Sequence, residues 1–120
     1  DILINNAALF SAAPIAEITR ADYDRLFAVN LAGTIFCTQA AARHMVARGQ
    51  GGIIINIASA ASFCTGTQMS IYNTSKAAVV ALSESLMQEY ADYGVHVVAA
   101  MPGFFQTRLM ESARGPERTL

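Results

Sequence analysis

The chain has 120 residues, 53% hydrophobic and only 14% charged, with a formal net charge of −1. That length suits one domain with a sizeable core, and charge so far below the usual ~25% predicts that much of the surface is covered. No electrostatic footprint for nucleic acid or an anionic membrane is present, and no apolar run reaches the ~18 residues of a membrane helix.

The chain opens on Asp1, without a Met, straight into Ile2-Leu3-Ile4, so further sequence is expected before residue 1. Ile2 to Ala8 reads as a strand buried on both faces, with Asn5-Asn6 near its end. Thr19-Arg20-Ala21-Asp22 has the form of a capping box and opens a helical pattern that reaches Arg48, ahead of Gly49. A pattern this long predicts a kink near Asn30 to Gly33. Gly51-Gly52 lead into the β-branched strand Ile53–Ile57, and a small-residue loop follows from Ala58 to about Ser70. The next helix is expected from about Tyr72 to Tyr93, with Gly94 as its left-handed terminator. Val95 to Met101 is a third apolar strand, stopped by Pro102-Gly103. Cys37 and Cys64 show no metal spacing and read as two small buried or half-buried thiols in a reducing cytoplasm.

Strand, helix, strand, helix, strand implies an α/β fold with parallel βαβ units, doubly wound, of which three strands and two long helices are visible. Three strands are too few to complete such a sheet. Ligands of open parallel sheets bind outside the carboxyl ends of the strands. The stretches to inspect are therefore Asn5 to Ala8, Ala58 to Ala60, and Pro102 to Phe105.

Lys76 is the only lysine and stands four residues after Tyr72. On a helix these two share a face, and a fixed ammonium beside a phenol draws its pKa below the usual ~10. Such a phenol can exchange protons with an alcohol or carbonyl oxygen near neutral pH. A surface pair is the bland alternative for Tyr-x-x-x-Lys alone. Ser59, directly after a strand, adds a hydroxyl that can hold the same substrate oxygen; otherwise it is a polar loop residue. Asn5 and Asn6 suit hydrogen bonds to a polar ligand or to the backbone of the neighbouring strand. Asn30, among Phe27, Val29 and Leu31, is either a site residue, a satisfied core amide or the cause of the kink.

Five segments occur together: Asp1 to Ala8, Val29-Asn30-Leu31-Ala32-Gly33, Ile54 to Ser59, Tyr72-Asn73-Thr74-Ser75-Lys76-Ala77 and Pro102 to Thr107. In that order and at these spacings the chain resembles the short-chain dehydrogenase/reductases. The resemblance covers the central to C-terminal part of their Rossmann-type nucleotide-binding domain. It implies an oxidoreductase that uses NAD or NADP to interconvert a secondary alcohol and a ketone. Tyr72 would be the general acid/base, Ser59 would polarise the substrate oxygen, and Lys76 would lower the tyrosine's pKa and bind the nicotinamide ribose. Asn30 would position a relay water. Asn6, Pro102, Gly103, Phe105 and Thr107 would complete the cofactor contacts with Tyr72 and Lys76.

Two departures stand out. Ala8 replaces the glycine that ends the first motif, and no Gly-x-x-x-Gly-x-Gly turn for the pyrophosphate occurs in these residues. Residues 1–120 are thus expected to be part of a single NAD(P)-binding domain whose N-terminal cofactor-binding half is missing. The competing expectations are a non-catalytic family member and an inactive fragment. Phe63, Met69, Ile71, Phe104, Phe105, Leu109 and Met110 would give an apolar pocket if they line one, while Arg108, Arg114 and Arg118 are expected to be solvated. The stretch from Asn5 to Asn30 looks like the family's polyol dehydrogenases and Gly103 to Gly115 like a different branch, so no substrate is assigned. The helix from Tyr72 carries small or apolar residues nearly all round, from Ala77 to Leu82 and at Leu86 and Met87. With the family resemblance, this predicts a homodimer or homotetramer paired through both long helices.

Overall fold

Local signals in the chain set most of its elements. The computed structural model describes residues 1–63 and 65–103. Its strands are β1 (Ile2–Asn5), β2 (Gly52–Ile57) and β3 (Val95–Ala100), and its long helices are α1 (Arg20–Phe27), α2 (Thr34–Arg48) and α3 (Ser70–Glu89). The capping box forms: the Asp22 N–H donates to Thr19 Oγ1 and the Thr19 N–H donates to the Asp22 carboxylate. Two orphan donors at the start of α1 are thereby satisfied reciprocally.

The expected kink is a π-helical segment, Ala28–Gly33, between α1 and α2. Its wider turns hold Asn30 buried at 1% exposure among apolar neighbours. α3 begins at Ser70 and ends at Glu89, and a 3₁₀ turn (Ala91–Tyr93) then reaches Gly94 at φ 67°. The helix expected to Tyr93 is thus an α-helix with a tightened last turn.

The sheet is parallel, in the order β1-β2-β3, with Leu3 opposite Ile54 and Ile54 opposite Val97. Side chains alternate across a strand, so Leu3, Ile54, Val95 and Val97 share one face. That face packs against α2, where Ala42 and Met45 complete the main core, and Ala58, Val79 and Val80 form a second cluster beneath α3. The opposite face carries Ile2 at 67%, Ile4 at 57% and Val98 at 49% exposure. Both crossovers therefore lie on one side. In β1 itself one face is half-buried and the other exposed, so the expectation of a first strand buried on both faces is not met in the described residues.

The first strand is shorter than the sequence suggested. It ends at Asn5, whose amide donates to Thr38 Oγ1 at 3.0 Å and to Asn56 Oδ1 at 2.8 Å. Asn56 Nδ2 donates in turn to Ser83 Oγ at 3.0 Å, and Ser83 Oγ donates to the Val79 carbonyl at 2.8 Å. One polar chain so ties α2, β1, β2 and α3 together through groups that are almost wholly buried, the circumstance in which each hydrogen bond is most costly to lose.

Candidate active site

The carboxyl ends of the three parallel strands lie at one edge of the sheet, and the expected site residues follow them. Ser59 comes two residues after β2 and is half-buried in extended backbone, φ −160°. Its neighbours prolong the ladder: the Ala58 N–H donates to the Ala100 carbonyl at 2.8 Å and the Ala60 N–H to the Pro102 carbonyl at 3.1 Å. Ser59 is thereby held between two backbone anchors on the end of β3. Its Oγ accepts from the Ala61 N–H at 3.1 Å and caps the 3₁₀ turn Ala60–Ser62, which leaves the hydroxyl hydrogen free to be donated.

Tyr72 and Lys76 lie on the inner side of α3, 6% and 3% exposed. The Lys76 ammonium donates to the Ile57 carbonyl at 3.0 Å, the last residue of β2. Lys76 and Tyr72 lie one turn apart on α3, and the ammonium is tethered to the strand end. Burial pushes the Lys76 ammonium below the ordinary lysine range. That single bond uses one of three N–H donors, so two are left for a ligand's hydroxyls.

Asn30 is a satisfied core amide. Its Oδ1 accepts from the Leu9 N–H at 2.7 Å, and its Nδ2 donates to the Leu9 carbonyl at 2.9 Å and to Ser75 Oγ at 3.1 Å. Ser75 Oγ donates to the Tyr72 carbonyl at 2.7 Å. Both amide donors are engaged, so a relay water could only donate to an Asn30 oxygen.

Asn5 bonds to the side chain of the neighbouring strand rather than to its backbone, while Asn6 is exposed at the end of β1. Gly103, exposed after β3, has open space where a Cβ would stand. Phe63 is 68% exposed. Cys37 carries an exposed free thiol rather than the buried or half-buried one expected, because it lies on the outer side of α2. Phe105 and Thr107 lie outside the described residues, as do Cys64, Phe104, Leu109, Met110 and the three C-terminal arginines. Sequence reasoning missed Phe10, whose ring packs on Tyr72, and Asn56, whose signal was a lone amide in a run of isoleucines. It also missed Ser75, which lies inside the Tyr-to-Lys motif yet works inward.

The short chain dehydrogenase family profile matches residues 1–118. The chain is 52% identical over 103 residues to the sorbitol dehydrogenase of Cereibacter sphaeroides, covering 86% of this chain and 40% of that protein. It is 36% identical over 118 residues to the 2-dehydro-3-deoxy-D-gluconate 5-dehydrogenase of Escherichia coli, covering 98% of this chain and 47% of that protein. The crystal structure of a gluconate 5-dehydrogenase from Burkholderia cenocepacia, in complex with NADP and tartrate, superposes with a TM-score of 0.89 at 38% identity, over 93% of this chain and 44% of that one. The chain belongs to the short-chain dehydrogenase family. It spans less than half the length of these relatives.

Proposed function

We propose that this chain carries the proton-transfer half of an NAD(P)-dependent oxidoreductase that interconverts a secondary alcohol and a ketone. The observation that carries the reading is the buried Tyr72–Lys76 turn of α3, anchored on the end of β2 close to the strand-end loop that bears Ser59. The Ser59 hydroxyl, with its hydrogen unspent, holds the substrate oxygen. Tyr72 takes the alcohol proton during oxidation and returns it during reduction. Lys76 places an ammonium group in a largely buried position one turn from Tyr72, tethered to the end of β2. Asn30 fixes Tyr72 through Ser75, and any relay water donates to an oxygen of Asn30. The residues fit a nicotinamide dinucleotide on its nicotinamide side: Lys76 has donors left for the ribose, and Asn6, Pro102 and Gly103 flank the strand ends. Phe105 and Thr107 are assigned to the same contacts from the sequence motif. Bound NAD or NADP supplies the hydride acceptor and donor.

Two of the similar proteins are named for sorbitol and for a sugar acid, so polyhydroxylated secondary alcohols are the class to test first. The experiment is dinucleotide-dependent oxidation of sorbitol and gluconate by the full-length protein, with Tyr72→Phe beside it. Turnover should fall ~10²–10⁴-fold in the variant while dinucleotide affinity is kept. Retention of more than about a tenth of the activity would overturn the assignment.

We infer further that the protein works as a homodimer or homotetramer in the cytoplasm. Phe36 at 63% and Met87 at 52% exposure, with Ala81 also exposed, put apolar surface on the outer sides of α2 and α3. Symmetric pairing is the commonest way to cover such a surface. A free thiol at Cys37 suits a reducing compartment. No described helix is long and apolar enough to cross a membrane. Light scattering at micromolar concentration tests the assembly, and a monomeric mass would refute it.

A further inference from the structure

One aromatic ring touches Tyr72 and has no part in the scheme above. Phe10 is half-buried in the strap that follows β1, its ring centroid 4.9 Å from that of Tyr72, the planes tilted by 59°. A tilted pair at this separation is an attractive arrangement of two ring quadrupoles.

The strap is fastened on both sides of Phe10. One residue earlier, Asn30 grips Leu9 by its N–H and its carbonyl, at 2.7 and 2.9 Å. Three residues later, the Ala13 N–H donates to the Gln68 carbonyl at 2.8 Å. Gln68 stands just ahead of α3 at φ 63°, a left-handed conformation that a residue with a side chain adopts only when its surroundings demand it. Phe10 therefore sits in the middle of a short span with one anchor on the π-helical segment and the other on the approach to α3.

The two ends of Tyr72 are served separately. Ser75 holds its main chain, through the bond from Ser75 Oγ to the Tyr72 carbonyl. That contact fixes where the side chain starts but not where the phenol oxygen finishes, because two torsions lie between them. Phe10 meets the ring itself. Asn30 feeds both routes, through Leu9 to Phe10 and through Ser75 to the backbone of Tyr72.

We propose that Phe10 is a positioning residue for Tyr72, holding the phenol ring in the orientation that brings its oxygen to the substrate oxygen bound at Ser59. The inference rests on the acid/base reading of Tyr72 given above. It assigns the strap after β1 a part in the proton transfer itself, beyond its part in folding.

Phe10→Ala, Phe10→Tyr and Tyr72→Phe in the full-length protein test this, assayed on the same alcohol with the same dinucleotide. Phe10→Ala should lower kcat about tenfold or more, since small misplacements of a reacting group are costly. It should leave KM and dinucleotide affinity within about threefold and move the limb of the pH–rate profile that reports the acid/base group. Phe10→Tyr keeps the ring and should restore both kcat and the profile. In a Tyr72→Phe background, Phe10→Ala should take nothing further from the residual rate. A wild-type kcat and pH profile in Phe10→Ala overturns the inference, as does a loss seen only in thermal stability or KM, or an additive loss in the double variant. If Tyr72→Phe stays active, the acid/base reading falls and this inference with it; if Tyr72→Phe is dead and Phe10→Ala is normal, only the inference falls.

Discussion

Asn30 holds Leu9 by both of its backbone polar groups, accepting the N–H and donating to the carbonyl across 21 residues of chain. A side-chain amide used this way imitates the edge of a β-ladder, so an irregular loop acquires strand-like anchoring without a strand. The third contact, to Ser75 Oγ, carries the same amide to the helix that bears Tyr72 and Lys76.

Replacing Asn30 with leucine keeps the number and branching of the side-chain heavy atoms and removes all three bonds. Leu9 and Ser75 are then left with polar groups that have lost their partner, at about 1–3 kcal/mol each for those out of reach of water. A loss of about 3 kcal/mol or more is expected in urea unfolding of the full-length protein. A value within about 1 kcal/mol of wild type would show that the amide is not a structural anchor.

Lys76 makes stability depend on pH in a direction that can be stated. Burial lowers its native pKa below the unfolded value, so the folded state resists protonation more than the unfolded chain does. The cost of the buried ammonium is present in full below the native pKa. It is relieved as pH rises from that value towards the ~10.4 of an unfolded lysine. Lys76→Met lacks this term, so the stability of the variant relative to wild type should fall as pH is raised from 7 towards 10. A pH-independent difference, read by denaturant unfolding at several pH values, would contradict the desolvated ammonium.

Gly49 and Gly51 separate two sources of cost. Both have positive φ, 66° and 69°, but a Cβ on Gly49 meets nothing within 4 Å, whereas one on Gly51 stands 2.6 Å from the Gly94 carbonyl oxygen. Gly49→Ala should therefore cost only the ~1–2 kcal/mol of left-handed backbone. Gly51→Ala adds a clash between backbones at the start of β2 and β3, and should lower Tm clearly more. Equal shifts in thermal unfolding would mean that the close approach to Gly94 is relieved at no cost.

What could be read beforehand was whatever depends on near neighbours in the chain. The capping box at Thr19 and Asp22, the isoleucine run of β2 and the terminator at Gly94 all lie within a few residues of the groups they serve. The kink near Asn30 was also legible, because a uniform pattern from Arg20 to Arg48 is longer than globular helices allow. The partners of Asn30 were not: Leu9 and Ser75 lie 21 and 45 residues away, and no periodicity links them. For the same reason the tether of Lys76 to the Ile57 carbonyl, 19 residues back, has no signal in the sequence. Asn6 to Ala8 read as strand because they continue a run begun by Ile2-Leu3-Ile4, although asparagine is itself a turn former, and the pairing with β2 ends at Asn5.

The π-helical segment Ala28–Gly33 can also be viewed as a one-residue insertion into an otherwise continuous helix. Losing any one of those residues would let the backbone revert to regular α-helix with all its hydrogen bonds intact, so the segment is not retained for backbone energy. Reversion would instead turn α1 by about 100° relative to α2, the angle one residue subtends. Thr19, Tyr23 and the rest of α1 would sweep round, and Asn30 would leave the line between Leu9 and Ser75. A deletion here would thus be silent to any measure of helix content and would register in the stability lost with the Asn30 bonds and in the alignment of the side chains that surround Tyr72.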